Sequence, residues 1–217
     1  WSTRAQVDKI KYPKYIQTKI SSTPNIGVLE GEVTAIKTKN GCVFSVVVNK
    51  TKTIKCSSVV VACGTFVNGL IHIGSKSFPA GRFGEKKTKD VSCQLTSFGH
   101  SLIRLKTGTP PRISLRSVDL SSSKLALGDS SFFPFSLFSQ KRMFSQAPCY
   151  TVNTNPSVHK IINNNIGSSA LFSGKIKGVG PRYCPSIEDK IFRFKDKDSH
   201  LLFLEPEWEG SDQIYVN

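Results

Sequence analysis

The residues Ser57-Ser58-Val59-Val60-Val61-Ala62-Cys63 form a continuous, mostly apolar run that ends at Gly64-Thr65. A short run without polar alternation is typical of a strand buried on both faces, as in a parallel sheet covered by helices. Ligands of such sheets bind beyond the carboxyl ends of the strands. The run therefore predicts an α/β fold, and it places Gly64 and Thr65 at the rim of a ligand site.

The segment before this run has the pattern of antiparallel strands. Apolar residues from Ile26 onward lead to Lys39-Asn40-Gly41, and Asn-Gly is a strong signal for a two-residue hairpin turn. Val43 to Val48 follows as the second strand, and another turn is predicted to begin at Thr51. We expect this hairpin to lead into the buried strand.

Helices are predicted on both sides of these strands. Residues 3–22 form one, interrupted near Tyr12 because proline is best tolerated in a first turn. Residues 90–98 form another, with an apolar stripe that faces the core. A third begins at Pro156 with Asn155 as its N-cap and ends at Gly167, with a buried stripe of Val158, Ile161 and Ile162.

The remaining segments give weaker patterns. Residues 101–106 alternate as a strand does, and residues 148–152 predict a further strand. Residues 115–145 contain a serine run and many phenylalanines, and we expect an irregular, partly exposed insertion there.

The chain is strongly basic, with 30 Lys and Arg against 15 Asp and Glu, a formal net charge of +15. Such a surface favours polyanions such as tRNA, but an AT-rich genome also encodes many lysines, so charge alone leaves nucleic-acid binding open. The six cysteines contain no C-x-x-C pair, and the four histidines complete no zinc pattern. We therefore expect reduced thiols, no metal and no membrane span.

The stretch from Gly178 to Lys190, GVGPRYCPSIEDK, has the composition of a site. Its prolines stiffen the turn that carries Cys184, and the neighbouring cations Arg182 and Lys190 favour a reactive thiolate. An inert, buried cysteine in a tight turn is the alternative that the residues alone leave open.

The same stretch, continued through Ile191-Phe192-Arg193-Phe194, resembles the signature of the MnmG/GidA family of tRNA-modifying flavoproteins. Further blocks resemble that family in the same order, and together they cover the chain from about Val33 to its end. They are Gly64-Thr65-Phe66, Ile71-His72-Ile73-Gly74, Gly81-Arg82, Gly84, RLKTGTPPRI at 104–113, Pro148-Cys149-Tyr150, Thr154-Asn155 and FLEPE at 203–207.

The resemblance implies a fold of two parts. Residues 1–100 would be part of a Rossmann-like FAD-binding domain of the glutathione-reductase type. Residues 101–196 would be an inserted α+β domain that binds NADH, and residues 197–217 would return toward the FAD domain. The glycine fingerprint and the helical tail of the family are absent from this sequence, so we expect an internal fragment of a longer protein.

The resemblance also implies site residues. FAD contacts fall at Val33 and Thr88 and add to the predicted rim at Gly64 and Thr65. Glu85-Lys86-Lys87 stands where the family often has Asp-Pro-Pro. Cys184 is the implied catalytic cysteine. NAD binding is implied at Gly180, Pro181, Arg182, Tyr183, Cys184, Pro185, Ser186, Ile187, Glu188, Asp189, Lys190, Ile191, Phe192, Arg193 and Phe194.

The implied function is the addition of an aminomethyl or carboxymethylaminomethyl group to carbon 5 of the wobble uridine of tRNA. The family uses FAD, NADH and methylene-tetrahydrofolate with an MnmE-type GTPase, as a homodimer and heterotetramer in the cytoplasm or mitochondrial matrix. We expect the fragment alone to be inactive and to retain little FAD. A folate- and FAD-dependent tRNA uridine methyltransferase and a non-catalytic tRNA-binding module are the alternatives.

Overall fold

The structure is a computed structural model that describes residues 5–88, 90–106, 108–129, 134–136, 138, 146–176, 178–180 and 185–217, with only the backbone at Thr65. These residues have a mixed α/β fold, as predicted. The chain divides into two compact units. One comprises residues 1–27, 107–164 and 183–217, and the other comprises residues 28–106 and 165–182. The division into an FAD domain and an inserted domain stays a prediction.

The second unit is built on an antiparallel hairpin. Strands β1 (Val33–Lys39), β2 (Cys42–Val48) and β3 (Lys52–Lys55) pair in that order. Asn40 and Gly41 have φ of 50° and 79°, the left-handed conformation that a tight hairpin turn needs. The predicted hairpin is therefore confirmed, and β3 extends it where we expected only a turn.

Helix α2 (Asp90–Ser97) packs on β1 in the same unit. The Gln94 side chain accepts a hydrogen bond from the Ile36 N–H at 2.6 Å and donates one to the Thr34 carbonyl at 3.3 Å. This amide satisfies backbone groups along β1, which pairs with β2 alone among the described strands. The predicted helix is confirmed, and a small hairpin of β4 (Leu70–Ile73) and β5 (Lys76–Pro79) lies elsewhere in the unit.

The first unit contains an antiparallel sheet of five strands in the order β6-β10-β9-β8-β7. Its core residues Leu204 and Ile214 lie on the two adjacent inner strands β9 and β10 and are only 4% and 3% exposed. The predicted strand at 148–152 is confirmed as β8. The bounds are β6 (Arg112–Ser114), β7 (Lys124–Ala126), β8 (Cys149–Asn153), β9 (Leu201–Pro206) and β10 (Gln213–Val216).

Three helices accompany this sheet, namely α1 (Lys11–Ser21), α3 (Pro156–Asn165) and α4 (Ile187–Arg193). The Asn155 carboxamide oxygen accepts a hydrogen bond from the Val158 N–H at 3.0 Å, which confirms the predicted N-cap. Helix α1 begins later than predicted, at Lys11, where Asp8 accepts hydrogen bonds from the Ile10 and Lys11 N–H groups. The predicted interruption near Tyr12 is wrong, because the helix is continuous from Lys11 to Ser21.

Glu207 connects the N-terminal segment to the sheet of the first unit. Its nearly buried carboxylate accepts hydrogen bonds from Lys9 and from the Arg112 guanidinium, the latter at 2.8 Å. Burial alone would raise the pKa of Glu207, but the bonds from Lys9 and Arg112 outweigh it and lower the pKa below 4.5. Arg112 also lies over the Tyr215 ring at 4.7 Å, and Lys9 lies over Trp208.

Several predictions about buried segments are wrong. Residues 57–63 form no strand, and Val60 is 91% exposed, because every described strand pairs with some other segment and none lies beside this run. Residues 101–106 contribute a single bridged pair, Leu105 with Val179, instead of a strand. In α3, Val158 and Ile161 are exposed rather than buried, at 36% and 64%.

Within the described part of the chain, no helix has the length and apolar character that crossing a bilayer requires. Cys42, Cys56, Cys63 and Cys93 are free thiols, in line with the expectation for these four residues. Most of the predicted insertion at 115–145 beyond β7 lies outside the described residues.

Candidate functional site

The predicted FAD residues Gly64 and Thr88 lie on two connected segments of the second unit. Gly64 has φ of +55° and begins a short 3-10 helix, Gly64–Phe66. Thr88 forms a parallel bridge with Val67. Its N–H donates to the Phe66 carbonyl at 2.9 Å, and its carbonyl accepts from the Asn68 N–H at 2.7 Å. The structure therefore brings the glycine turn and the Thr88 segment together.

Two cations meet at Asn68, next to these residues. Lys87 donates to the Asn68 side-chain oxygen at 2.9 Å, and Arg104 donates to the Asn68 carbonyl at 3.2 Å. Asn68 itself has φ of 49°, a left-handed conformation that asparagine tolerates. The sequence pattern did not predict this cluster, although Arg104 lies in the block at 104–113 that resembles the family.

Gly81 provides a close approach in the same unit. A Cβ at this position would lie 2.0 Å from the Phe66 ring, so only glycine fits there without a shift. Arg82 then places its guanidinium 5.8 Å from the same ring. The Gly81 backbone and the Arg82 guanidinium both lie against the Phe66 ring, which belongs to the loop from Gly64 to Asn68.

The residues of this loop fit a dinucleotide such as FAD. The space beside Gly64 is open, since a Cβ there would have no neighbour within 4 Å. Lys87 and Arg104 supply positive charge suited to phosphate groups. Val33 lies apart in sequence, at the start of β1 and opposite Val48, and no described hydrogen bond joins its side of the sheet to the loop. The Thr65 side chain lies outside what the structure describes.

The first glycines of the NAD-linked stretch are held against residues 104–106. The Val179 N–H donates to the Arg104 carbonyl at 3.0 Å, and the Lys106 N–H donates to the Val179 carbonyl at 2.9 Å. A Cβ on Gly178, whose φ is +148°, would lie 2.6 Å from the Arg104 carbonyl oxygen. Residues 178–180, which belong to the stretch that resembles the family, therefore pair closely through their backbone with residues 104–106.

The centre of that stretch, Pro181, Arg182, Tyr183 and Cys184, lies outside the described residues. After it, the Ser186 hydroxyl accepts a hydrogen bond from the Asp189 N–H at 3.3 Å and caps α4. Pro185, Ile187, Glu188 and Lys190 are half-buried, Ile191 is buried, and Phe192, Arg193 and Phe194 are exposed. The roles assigned to all these residues in NAD binding, and to Cys184 in catalysis, stay predictions.

A pair of histidines in the first unit was missed by the sequence analysis. The Thr154 hydroxyl lies 2.8 Å from His159 Nε2 and accepts a hydrogen bond from the His200 N–H at 2.8 Å. The two imidazole rings are 5.4 Å apart. Burial, with nearby positive charge, lowers the pKa of His200, and its Nε2 has no described hydrogen-bond partner. Both effects favour the neutral form of the His200 imidazole.

The structure is similar to a solved protein with the same kind of mixed α/β fold. The Aquifex aeolicus GidA structure in its form I crystal matches with a TM-score of 0.86 and 41% identity, over 98% of this chain and 36% of that one. The family model described as "Glucose inhibited division protein A" matches residues 1–217. The chain belongs to the glucose-inhibited division protein A (GidA) family.

Curated relatives agree with this assignment. The "tRNA uridine 5-carboxymethylaminomethyl modification enzyme MnmG" of Thermodesulfovibrio yellowstonii is 45% identical over 217 residues. The protein of the same name from Chlorobaculum tepidum is 45% identical over 219 residues. Each match covers all of this chain, and the chain spans 35% of the length of each of these relatives.

Proposed function

We propose that this chain is part of an enzyme that modifies carbon 5 of the wobble uridine in tRNA with an aminomethyl or carboxymethylaminomethyl group. The observation that carries the proposal is the 45% identity, over the whole chain, to an enzyme named for that modification. The sequence Gly180 to Phe194, intact here, supports the same proposal by its resemblance to the family signature.

Two nucleotide cofactors belong to the proposal. FAD is held at Val33, Gly64, Thr65 and Thr88, and the NAD segment runs from Gly180 to Phe194. When bound, FAD supplies the electron transfer that the reaction needs, with NADH as its reductant. The residues of this chain orient the cofactors. The Gly64 turn admits close backbone approach, and Lys87 and Arg104 offset phosphate charge.

Cys184 is the proposed catalytic residue. Carbon 5 of uridine is a weak nucleophile until a nucleophile adds to the neighbouring carbon of the ring. A thiolate suits that step, and Arg182 and Lys190 are the cations near it in sequence. Carbon 5 of the adduct then bonds to the one-carbon unit, whose bond to the folate nitrogen breaks. Loss of the proton on carbon 5 finally breaks the sulfur–carbon bond and regenerates the thiolate.

The proposed partners are tRNA as substrate, methylene-tetrahydrofolate as carbon donor, and ammonium or glycine as nitrogen donor. An MnmE-type GTPase completes the enzyme as a heterotetramer built on a homodimer, in the cytoplasm or the mitochondrial matrix. Residues 1–217 alone are inactive and retain little FAD. Tight stoichiometric flavin on the purified chain would contradict this last point.

A chimera tests the function. This chain replaces its 217 aligned residues in the Thermodesulfovibrio yellowstonii relative, and mass spectrometry of treated tRNA identifies the product. An aminomethyl-type group at the wobble uridine is expected. A methyl group at carbon 5 would instead indicate the methyltransferase, and a colourless chimera that binds tRNA without changing it would indicate the binding module.

The role of Cys184 has its own test in the same chimera. Cys184→Ser should abolish the modification because a hydroxyl is a far weaker nucleophile than a thiolate. Cys93→Ser, at an exposed free thiol on α2, is the matched control and should retain activity. Wild-type rates in Cys184→Ser would rule out the proposed thiolate role.

A further inference from the structure

An open cleft of about 550 Å³ lies in the first unit, between α3 and the turn that follows α4. Helix α3 contributes His159, Lys160 and two asparagines, and the turn contributes Lys195 and Lys197. Ile191, which also lines the cleft, belongs to the proposed NAD set, whereas the lysines, His159 and the two asparagines belong to neither proposed cofactor set. The cationic part of the cleft is therefore a feature that the proposed cofactor sites do not explain.

The charge of the cleft is predominantly positive. Lys160, Lys195 and Lys197 line it together with a single carboxylate, that of Asp198. Among the described residues, none of the three lysines forms an ion pair, although several other cations of the chain do. The cleft thus holds cations whose charge no described carboxylate neutralises by direct contact.

Two of the lysines are supported from behind by aromatic rings. The Lys195 ammonium lies 5.0 Å from the centre of the Phe192 ring, and the Lys197 ammonium lies 5.3 Å from that of Phe194. Such contacts orient an ammonium group and leave its hydrogen-bonding capacity for another acceptor. Each of these two lysines that line the cleft therefore has an aromatic ring beside its ammonium group.

The buried His200, whose ring lies beside that of His159 at the cleft, is affected by the same positive charges. Burial is the main reason that the pKa of His200 is lowered, and the charges of His159, Lys197 and Lys190 lower it further. His159 belongs both to the cleft lining and to the stacked pair with His200. A positive potential is the environment that an anionic group would meet on entering.

We propose that this cleft binds the phosphodiester backbone of tRNA through Lys160, Lys195 and Lys197. A dinucleotide prefers an enclosed, mostly apolar pocket with a few fixed polar groups, whereas this cleft is open and has three lysines and two asparagines in its lining beside the apolar Pro156 and Ile191. Flexible ammonium groups on an open surface are typical of contacts to nucleic-acid backbone. The identity of the RNA rests on the proposed function, and the position of the contact rests on the cleft.

The test measures tRNA binding by fluorescence anisotropy as a function of salt concentration. The chimera described above is compared with its triple variant Lys160→Gln, Lys195→Gln, Lys197→Gln. Loss of three phosphate contacts should reduce the slope of log K against log salt by about 2 to 3 and weaken binding at least about tenfold near physiological salt. The isolated 217-residue chain, titrated in the same way, provides a second measurement.

A matched control removes the same charge from the exposed surface of the hairpin in the other unit. Lys37→Gln, Lys39→Gln and Lys52→Gln are all at exposed positions of β1 and β3. This variant should change the slope by less than half as much. Equal losses in the two triple variants, or no loss in the cleft variant, would overturn the proposal, as would a cleft variant that loses NADH affinity while tRNA binding stays unchanged.

The two proposals fail in different ways. If the unsubstituted chimera leaves the wobble uridine unmodified but the cleft variant still loses tRNA affinity, the proposed function fails and the cleft assignment stands. If the chimera modifies tRNA and the cleft variant binds as tightly as its parent, the cleft assignment fails alone. A chimera that binds no tRNA overturns both.

Discussion

Replacing Glu207 by glutamine should lower the free energy of unfolding by about 2 to 3 kcal/mol. The substitution keeps the shape of the side chain and removes the charge that Lys9 and Arg112 share. These two residues come from the N-terminal segment and from β6, so the carboxylate joins parts of the chain that are far apart in sequence.

The magnitude follows from the burial of the three groups. The Glu207 side chain is only 6% exposed, whereas those of Lys9 and Arg112 are 51% and 44% exposed. Hydrogen bonds to charged groups contribute about 1.5 to 3 kcal/mol each, and breaking a fully buried pair costs about 3 to 5 kcal/mol. The half-exposed cations recover hydration in the variant, so the expected loss lies below the buried-pair value.

The contribution of Glu207 to the free energy of unfolding should change with pH in a definite direction. The pKa of Glu207 is lower in the folded chain than its ordinary value of 4.5. Its contribution is therefore complete above about pH 4.5 and is lost as the pH falls through the lower folded value. Glu207→Gln should flatten this part of the acid dependence.

Urea unfolding at about pH 7 and about pH 3.5, followed by circular dichroism, measures both effects. Glu209→Gln is the matched control, since its pair with Lys11 is exposed on both sides, and it should leave the stability unchanged. The reasoning is refuted if Glu207→Gln is as stable as the control at pH 7, or if the two variants lose stability in parallel on acidification.

Two further predictions concern single sites. Gly81→Ala places a Cβ against the Phe66 ring and should lower the free energy of unfolding in urea by about 1 to 3 kcal/mol. Gly27→Ala, with open space around the new Cβ, is the control and should leave the stability unchanged. Equal stability of the two variants would contradict the close approach of Gly81 to Phe66. The pKa of His200 is lower in the folded chain than its ordinary value of 6.5, so unfolding below that value takes up a proton and the free energy of unfolding falls as the pH drops through 6.5 toward the lower folded value. His200→Gln should remove this part of the pH dependence and His100→Gln, at an exposed position, should retain it; identical pH profiles for these two variants would exclude the role of burial.

Local features of the fold were predictable from the sequence. The Asn40-Gly41 turn needs only two adjacent residues with positive φ, and the cap of α3 needs only Asn155 and the N–H groups that follow it. In both cases the interacting atoms lie within a few residues of each other. The residues that cause the turn and the helix cap are therefore all visible in a short stretch of the sequence.

Burial and the candidate site depend on partners that are distant in sequence. The apolar run at 57–63 matches a buried strand, but no described strand lies beside it, so Val60 and Val61 are exposed. His159 and His200 stack because α3 and the segment before β9 meet in space, and neither residue belongs to a local motif. Lys87 and Arg104 likewise both donate to Asn68, and the chain bend that brings them there leaves no periodic pattern in the sequence.

The strand order of the first unit has a consequence for how the sheet assembles. Strand β10 follows the other four strands of this sheet in sequence, yet it occupies an interior position between β6 and β9. Until residues 213–216 have been synthesised, β6 has no neighbour and the other three strands present an open edge. Ribosome-bound intermediates that end before residue 213 would therefore carry a gap in the sheet, which closes when residues 213–216 pair with both β6 and β9.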